Sequence, residues 1–213
     1  MRKISPKTRY FPEMKRVRQQ SNAHCGPAVL QMLAQFWKLT YEQSEFVKAA
    51  GIKNIKKTGG MTPKELAMAA SKITPLQFWI KQKTTFSQLA KIVNIYKVPV
   101  GIEWQGVFGK YSDGYDGHYS VVVRVDKRRK QIIIADPYRH FAGRDRYFSI
   151  SQFARRWWDF NEVKTRSRKK RVIRDRQLIF LLVPHNRHFP QKLKMSCIAG
   201  SGFARQRPKK LSA

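Results

Sequence analysis

Cysteine is nearly missing from this 213-residue chain, which has only Cys25 and Cys197. Two cysteines cannot build a disulfide framework, and the clustered Cys and His of a zinc site are absent, so no metal is expected. Such sparse use of cysteine fits a reducing compartment, and a cytoplasmic location is the expectation. Acidic residues are also scarce, 13 against 44 Lys and Arg, for a formal net charge of +31. A surface this basic attracts anions such as nucleic acid, acidic lipid or acidic protein, so polyanion contact is an expectation about partners. A general preference of the host for basic proteins would give the same count. No apolar run reaches the roughly 18 residues of a membrane span, and the longest, residues 178–183, is strand-sized. The opening MRKISPKTRYFPEMKRVRQQ has no apolar core of a signal peptide. There is no P-loop and no internal repeat, so neither an ATPase nor a repeat array is expected, and no cofactor is implied.

What is present is enough apolar material for a core: 42% hydrophobic residues, with 13 Phe, 8 Tyr and 5 Trp. Residues 1–11 read as a basic arm. A helix over residues 26–38 follows from Ala28, Val29, Met32, Leu33 and Phe36 on one face, with Pro27 tolerated in the first turn. Residues 41–50 predict a second helix and residues 51–60 a loop. Thr62 and Pro63 open a third helix as N-cap and first-turn proline, and residues 85–95 predict a fourth. A short strand is expected over 75–80.

The period then changes. Residues 99–104 predict a strand, 105–117 a Gly-rich loop, and 119–125 with 131–135 a β-hairpin of β-branched runs. A strand over 147–150, a helix over 151–158 capped by Ser151, a charge block over 164–176 and a last strand over 177–183 follow. Residues 185–213 read as a basic, low-hydrophobicity tail. Helices first and antiparallel strands afterwards make the fold class α+β, with the main domain over residues 12–184.

Cys25 falls at the start of the first helix, where free N–H groups and the helix dipole favour an anion, the condition under which a thiol becomes a nucleophile. Gly26 allows close approach of a substrate. The competing reading is a buried structural cysteine. If the hairpin turn centres on Lys127, facing residues have numbers summing to 254, so His118 faces Asp136 with Cβ atoms about 5 Å apart. A carboxylate so placed holds an imidazole in the tautomer that a general base requires. The competing reading is that His118 ends a loop and that Asp136, before Pro137, opens a turn. On the segment before the helix, the Gln19 amide could donate to an oxyanion beside the Cys25 N–H, with adjacent Gln20 as its competitor. His24 reads as a bystander, because adjacent residues at a helix start point apart. Trp157 and Trp158 read as core and rim packing. The run from Arg168 to Arg171 reads as a solvated face, with nucleic-acid contact as the sharper alternative.

The order Gln19, Cys25-Gly26-Pro27-Ala28, Gly60-Met61-Thr62-Pro63, Glu65-Leu66, Pro99-Val100, Gly117-His118-Tyr119-Ser120, Ile134-Ala135-Asp136-Pro137, Phe153 and Trp157 resembles the bacteriocin-processing (double-glycine) peptidases, cysteine-peptidase family thirty-nine. The resemblance covers about residues 12–184. It implies a papain-like fold, a catalytic set of Cys25, His118 and Asp136, Gln19 as the oxyanion donor, and a peptide or protein substrate. Transporter-linked members precede a membrane segment and an ATPase, neither of which is seen here, and His24 stands where they often have Asp. The expectation is therefore a cysteine peptidase acting through an acyl-enzyme. An acyl transferase on the same fold, or an idle binding module with a basic surface, are the alternatives.

Overall fold

The computed structural model describes residues 10–108, 116–164 and 170–198. Most of the N-terminal arm, much of the Gly-rich loop, the first half of the run from Arg168 to Arg171 and the end of the tail lie outside them. The chain opens with helix α1 (Cys25–Phe36), whose first ten residues are all buried. A helix apolar on every side belongs inside a core rather than on its surface. Three shorter helices pack around it: α2 (Gln43–Ala49), α3 (Ile55–Thr58) and α4 (Pro63–Ile73). Helix α4 starts where expected. The Thr62 hydroxyl accepts from the Glu65 N–H while the Glu65 carboxylate accepts from the Thr62 N–H, a reciprocal pair that ties down two otherwise orphaned donors. Residues 51–60, expected as plain loop, hold α3, because the Asn54 side chain caps two N–H groups and Gly59 (φ 76°) ends the turn.

The rest is sheet with inserted helices: β1 (Gln77–Lys81), α5 (Phe86–Ala90) running into a π-helical turn (Lys91–Ile95), β2 (Val100–Gln105), β3 (Gly117–Asp126), β4 (Gln131–Ala135), β5 (Asp145–Ser149), α6 (Ile150–Arg156), β6 (Trp158–Lys164), β7 (Lys170–Arg176), β8 (Ile179–Val183), α7 (Phe189–Lys192) and β9 (Ser196–Ile198). Seven strands form one antiparallel sheet in the order β5-β4-β3-β2-β8-β1-β9, and β6 and β7 form a separate ribbon. One face of the sheet packs on α1 and α4 through Val121, Ala135, Phe78 and Phe180; the other packs on α5 and α6 through Trp104, Val122, Ile134 and Phe153. Both faces are covered, which explains the unbroken apolar run of β8. This is the expected α+β fold.

Four further sequence expectations change. The cap of α6 is Ser149, whose hydroxyl accepts from the Gln152 N–H at 3.1 Å, rather than Ser151. The described end of the charge block is strand β7, paired with β6. Its charges hid a period-2 pattern in which Asn161 and Asp175 turn inward, while Arg174 and Arg176 stay exposed. The tail past residue 184 is structured to Ile198, since Phe189, Leu193 and Met195 are buried and β9 pairs with β1. The hairpin register also differs. Near the turn, facing residues are Arg124 with Ile133 and Val125 with Ile132; beyond a bulge at Val123 they are Val122 with Ile134 and Val121 with Ala135. Asp136 is therefore in line with Ser120 and diagonal to His118, not directly across from it.

That bulge decides which face the two side chains share. Continued without it, the register near the turn would place Asp136 beside Val121, on the face opposite His118. One extra residue on β3 restores the parity, and at the diagonal position a long side chain still reaches its neighbour.

Candidate active site

Cys25 starts α1 with its side chain against the end of the sheet, and only 7% of the residue is exposed. Gly26 follows because nothing larger fits: a Cβ there would lie 2.8 Å from Leu66 and 3.3 Å from Tyr119. The His118 ring, at the start of β3, is hydrogen-bonded on both sides. Its Nε2 donates to Asp136 Oδ1 at 2.8 Å, which leaves Nδ1 for the hydrogen bond with Cys25. The three sequence-derived residues, Cys25, His118 and Asp136, are thus brought together, although the register that suggested the last contact was off by two. Phe108 stands edge-on to the His118 ring at 4.9 Å between centroids, with Trp104 on the same strand pair.

Burial by itself would strip the proton from the His118 imidazolium, yet the Asp136 carboxylate, together with Cys25, pushes its pKa up to about 10. Burial also opposes ionisation of Asp136, but His118, Arg146 and the Tyr138 N–H hold that carboxyl below the usual range. Asp136 is fully satisfied: Oδ1 accepts from His118 and from the Tyr138 N–H at 2.9 Å, and Oδ2 accepts from Arg146 Nη1. The Arg146 Nη2 donates to the Val107 carbonyl at 3.0 Å, and the guanidinium stacks over the Phe141 ring at 3.5 Å. Arg146 was missed from the sequence. The signal lay in β5, where Arg146 pairs with Ile134 on the same side as Phe148; an arginine on the apolar side of a strand needs an acid.

Gln19 is buried and Gln20 exposed. The Gln19 N–H donates to the Pro137 carbonyl at 2.9 Å, tying it to the residue after Asp136, and its Nε2 donates to the Ser21 carbonyl at 2.8 Å. His24 turns away from the His118 pair. Its Nδ1 is 2.6 Å from the Ser21 hydroxyl, and burial with nearby Lys56 lowers its pKa. A groove of about 460 Å³ opens beside it, lined by Val47, Lys48 and Ile52 among others. Cys197 is exposed on β9, at the far edge of the sheet from β3. Trp157 is buried and Trp158 half-buried, as expected.

On the other side of Gly117 lies a second polar cluster. The buried Glu103 Oε1 accepts from the Tyr119 hydroxyl at 2.7 Å and from Asn161 Nδ2 at 2.9 Å. Asn161 Nδ2 also reaches Asp175 Oδ2 at 2.9 Å, and Gln82 donates to Asp175 Oδ1. Gln105 Nε2 and the Phe160 N–H both donate to Asp159 Oδ1 at 2.7 Å. Desolvation pushes the Glu103 pKa up to about 8 and that of Asp159 up to about 6. No group of three His, Cys, Asp or Glu among the described residues could hold a metal, and no helix among them is long and apolar enough to cross a membrane.

Comparison with known proteins follows the same line. The family model described as Peptidase C39 like family matches residues 11–165. The fold is shared with the peptidase domain of Streptococcus ComA, a bi-functional ABC transporter involved in a quorum sensing pathway (TM-score 0.52, 20% identity, covering 79% of this chain and 97% of that one). It is shared with a double glycine motif protease from an AMS/PCAT transporter, solved with its leader peptide (TM-score 0.52, 16% identity, 79% and 89%). It is also shared with the N-terminal peptidase C39 like domain of the toxin secretion ATP-binding protein from Vibrio parahaemolyticus (TM-score 0.51, 10% identity, 78% and 99%). No curated protein matches the sequence.

Proposed function

Because the chain belongs to the Peptidase C39 like family, we propose that it is an active cysteine peptidase that cleaves a peptide bond through a thioester intermediate. The observation that carries this reading is the hydrogen-bonded line Cys25–His118–Asp136 at the start of a buried helix. His118 Nδ1 takes the proton of the Cys25 thiol, and the sulfur attacks the substrate carbonyl carbon. The carbonyl oxygen becomes negative and is held by the Cys25 N–H and by Gln19 Nε2, whose second proton is left over from the bond to Ser21. The tetrahedral intermediate collapses, the C–N bond breaks, and the leaving amine takes the proton from His118. Water, deprotonated by the same imidazole, then hydrolyses the thioester. Asp136 holds the ring so that Nδ1 faces the sulfur, and its charge stabilises the imidazolium. The relative solved with a leader peptide supports a peptide as the substrate class.

Incubating the full chain with a peptide library and reading products by mass spectrometry tests this. Cleavage is expected from the wild type and none from Cys25→Ala or His118→Ala, with Gln19→Ala slowed about a hundredfold or more and Gln20→Ala unchanged. Failure of the wild type to cleave any peptide, with no rapid alkylation of Cys25 by iodoacetamide at pH 6, would leave only a binding role.

A further inference from the structure

Glu103, Asp159 and Asp175 stand together where the β6–β7 ribbon packs on β2, and none of the ion pairs among the described residues involves them. No Lys or Arg among the described residues pairs with them, in a chain with 44 Lys and Arg. The side-chain donors in the cluster, from Tyr119, Asn161, Gln82 and Gln105, are all neutral. Two oxygens are buried without a partner, Glu103 Oε2 and Gln105 Oε1, in residues each only 1% exposed; Glu103 keeps its proton, so Gln105 Oε1, on the side chain bonded to Asp159, is the acceptor left over. An unused acceptor beside the Asp159 carboxylate, whose charge His118 offsets only in part, suits a group that only donates and carries positive charge.

The outer end of the cluster, Asp159, is next to the proposed catalytic histidine. Asp159 is half-buried rather than sealed. Its carboxylate occupies the space that a Cβ on residue 117 would need. Gly117 therefore lets this carboxylate lie along the backbone of the residue that precedes His118.

We infer that Asp159 forms the wall of an anionic subsite beside His118 that takes the ammonium or guanidinium group of a substrate lysine or arginine close to the scissile bond. This rests on the peptidase reading above and adds the substrate's charge to it. Burial raises both carboxyls, Asp159 only to about 6 and Glu103 to about 8, so at pH 7 the outer acid is the charged one. The whole protein, at +31, repels a cationic peptide. A preference for lysine would thus have to arise locally, against the bulk field.

The test is binding of fluorescent peptides to the full-length Cys25→Ala protein. Matched peptides carry lysine or norleucine at each position around one site, and anisotropy is read with and without Asp159→Asn. That substitution keeps an oxygen for the Gln105 and Phe160 donors. A lysine peptide is expected to bind about tenfold or more tighter than its norleucine partner, a charge-assisted hydrogen bond's worth. The difference should vanish in the Asp159→Asn background while norleucine peptides bind as before. Equal binding of the two peptides at every position, or a lysine preference that survives Asp159→Asn, overturns the subsite. Cleavage by the wild type is scored separately by mass spectrometry, so loss of the subsite and loss of the peptidase reading give different results.

Discussion

Replacing Glu103 with glutamine should stabilise the protein, and by an amount that depends on pH. Glu103 lies under Tyr119 and Asn161, outside every ion pair among the described residues, and burial raises its carboxyl pKa from the ordinary 4.5 to about 8. Between those values the folded chain holds a proton that the unfolded chain has released. The native state binds more protons, and stability falls as pH rises through that window. Each pH unit removes about 1.4 kcal/mol. The penalty is near zero at pH 4.5, about 3 kcal/mol at pH 7 and about 5 kcal/mol above pH 8. The side-chain amide of the Glu103→Gln variant does not ionise, and its oxygen still accepts from Tyr119 and Asn161, so the variant escapes this loss. Denaturant unfolding at pH 4.5, 7 and 8.5, on wild type and variant, measures the gap. A gap that is the same at all three pH values would refute the reasoning, because a packing or hydrogen-bond effect has no reason to follow the titration of a carboxyl.

Two further outcomes are expected. Arg146→Met leaves Asp136 Oδ2 without its buried partner and should cost about 3 kcal/mol in denaturant unfolding, with Arg146→Lys in between; a loss under about 1 kcal/mol would mean that Asp136 does not depend on the guanidinium. Gly101→Ala drives a Cβ into the Phe180 ring, which is itself stacked on Phe78, and should destabilise by about 1–3 kcal/mol; an unchanged melting temperature would show that the ring can move aside.

Much of this was legible because it is written in local chemistry. The buried side of α1 shows in Ala28, Val29, Met32 and Leu33, and the start of α4 in Thr62, Pro63 and Glu65, each acting within four residues of itself. Cys25, His118 and Asp136 could be named because helix start, strand start and strand end are all marked in the chain. What stayed hidden depends on partners far away in sequence. Arg146 makes sense only once β5 is laid beside β4. The β6–β7 ribbon hides among charges because its inward residues are Asp159, Asn161 and Asp175, polar groups whose partners Gln105, Glu103 and Gln82 lie on other elements. The edge strand β9 is three residues long, too short to carry a period of its own.

The bulge at Val123 also separates two parts of the hairpin that would otherwise be locked together. Everything between it and the turn can be regarded as one frame, and everything beyond it, including His118, as another. Deleting Val123 would join the frames into one continuous ladder, with Arg124 still facing Ile133 and Val122 still facing Ile134, so Asp136 would stay on the side of His118. Deleting Val121 instead would bring Asp136 in line with Tyr119, on the side of the sheet opposite His118, although neither acid nor imidazole has been touched. The hairpin therefore tolerates loss of its extra residue but not of a paired one between the bulge and the site, and a variant of the second kind would lose the site while keeping every residue in it.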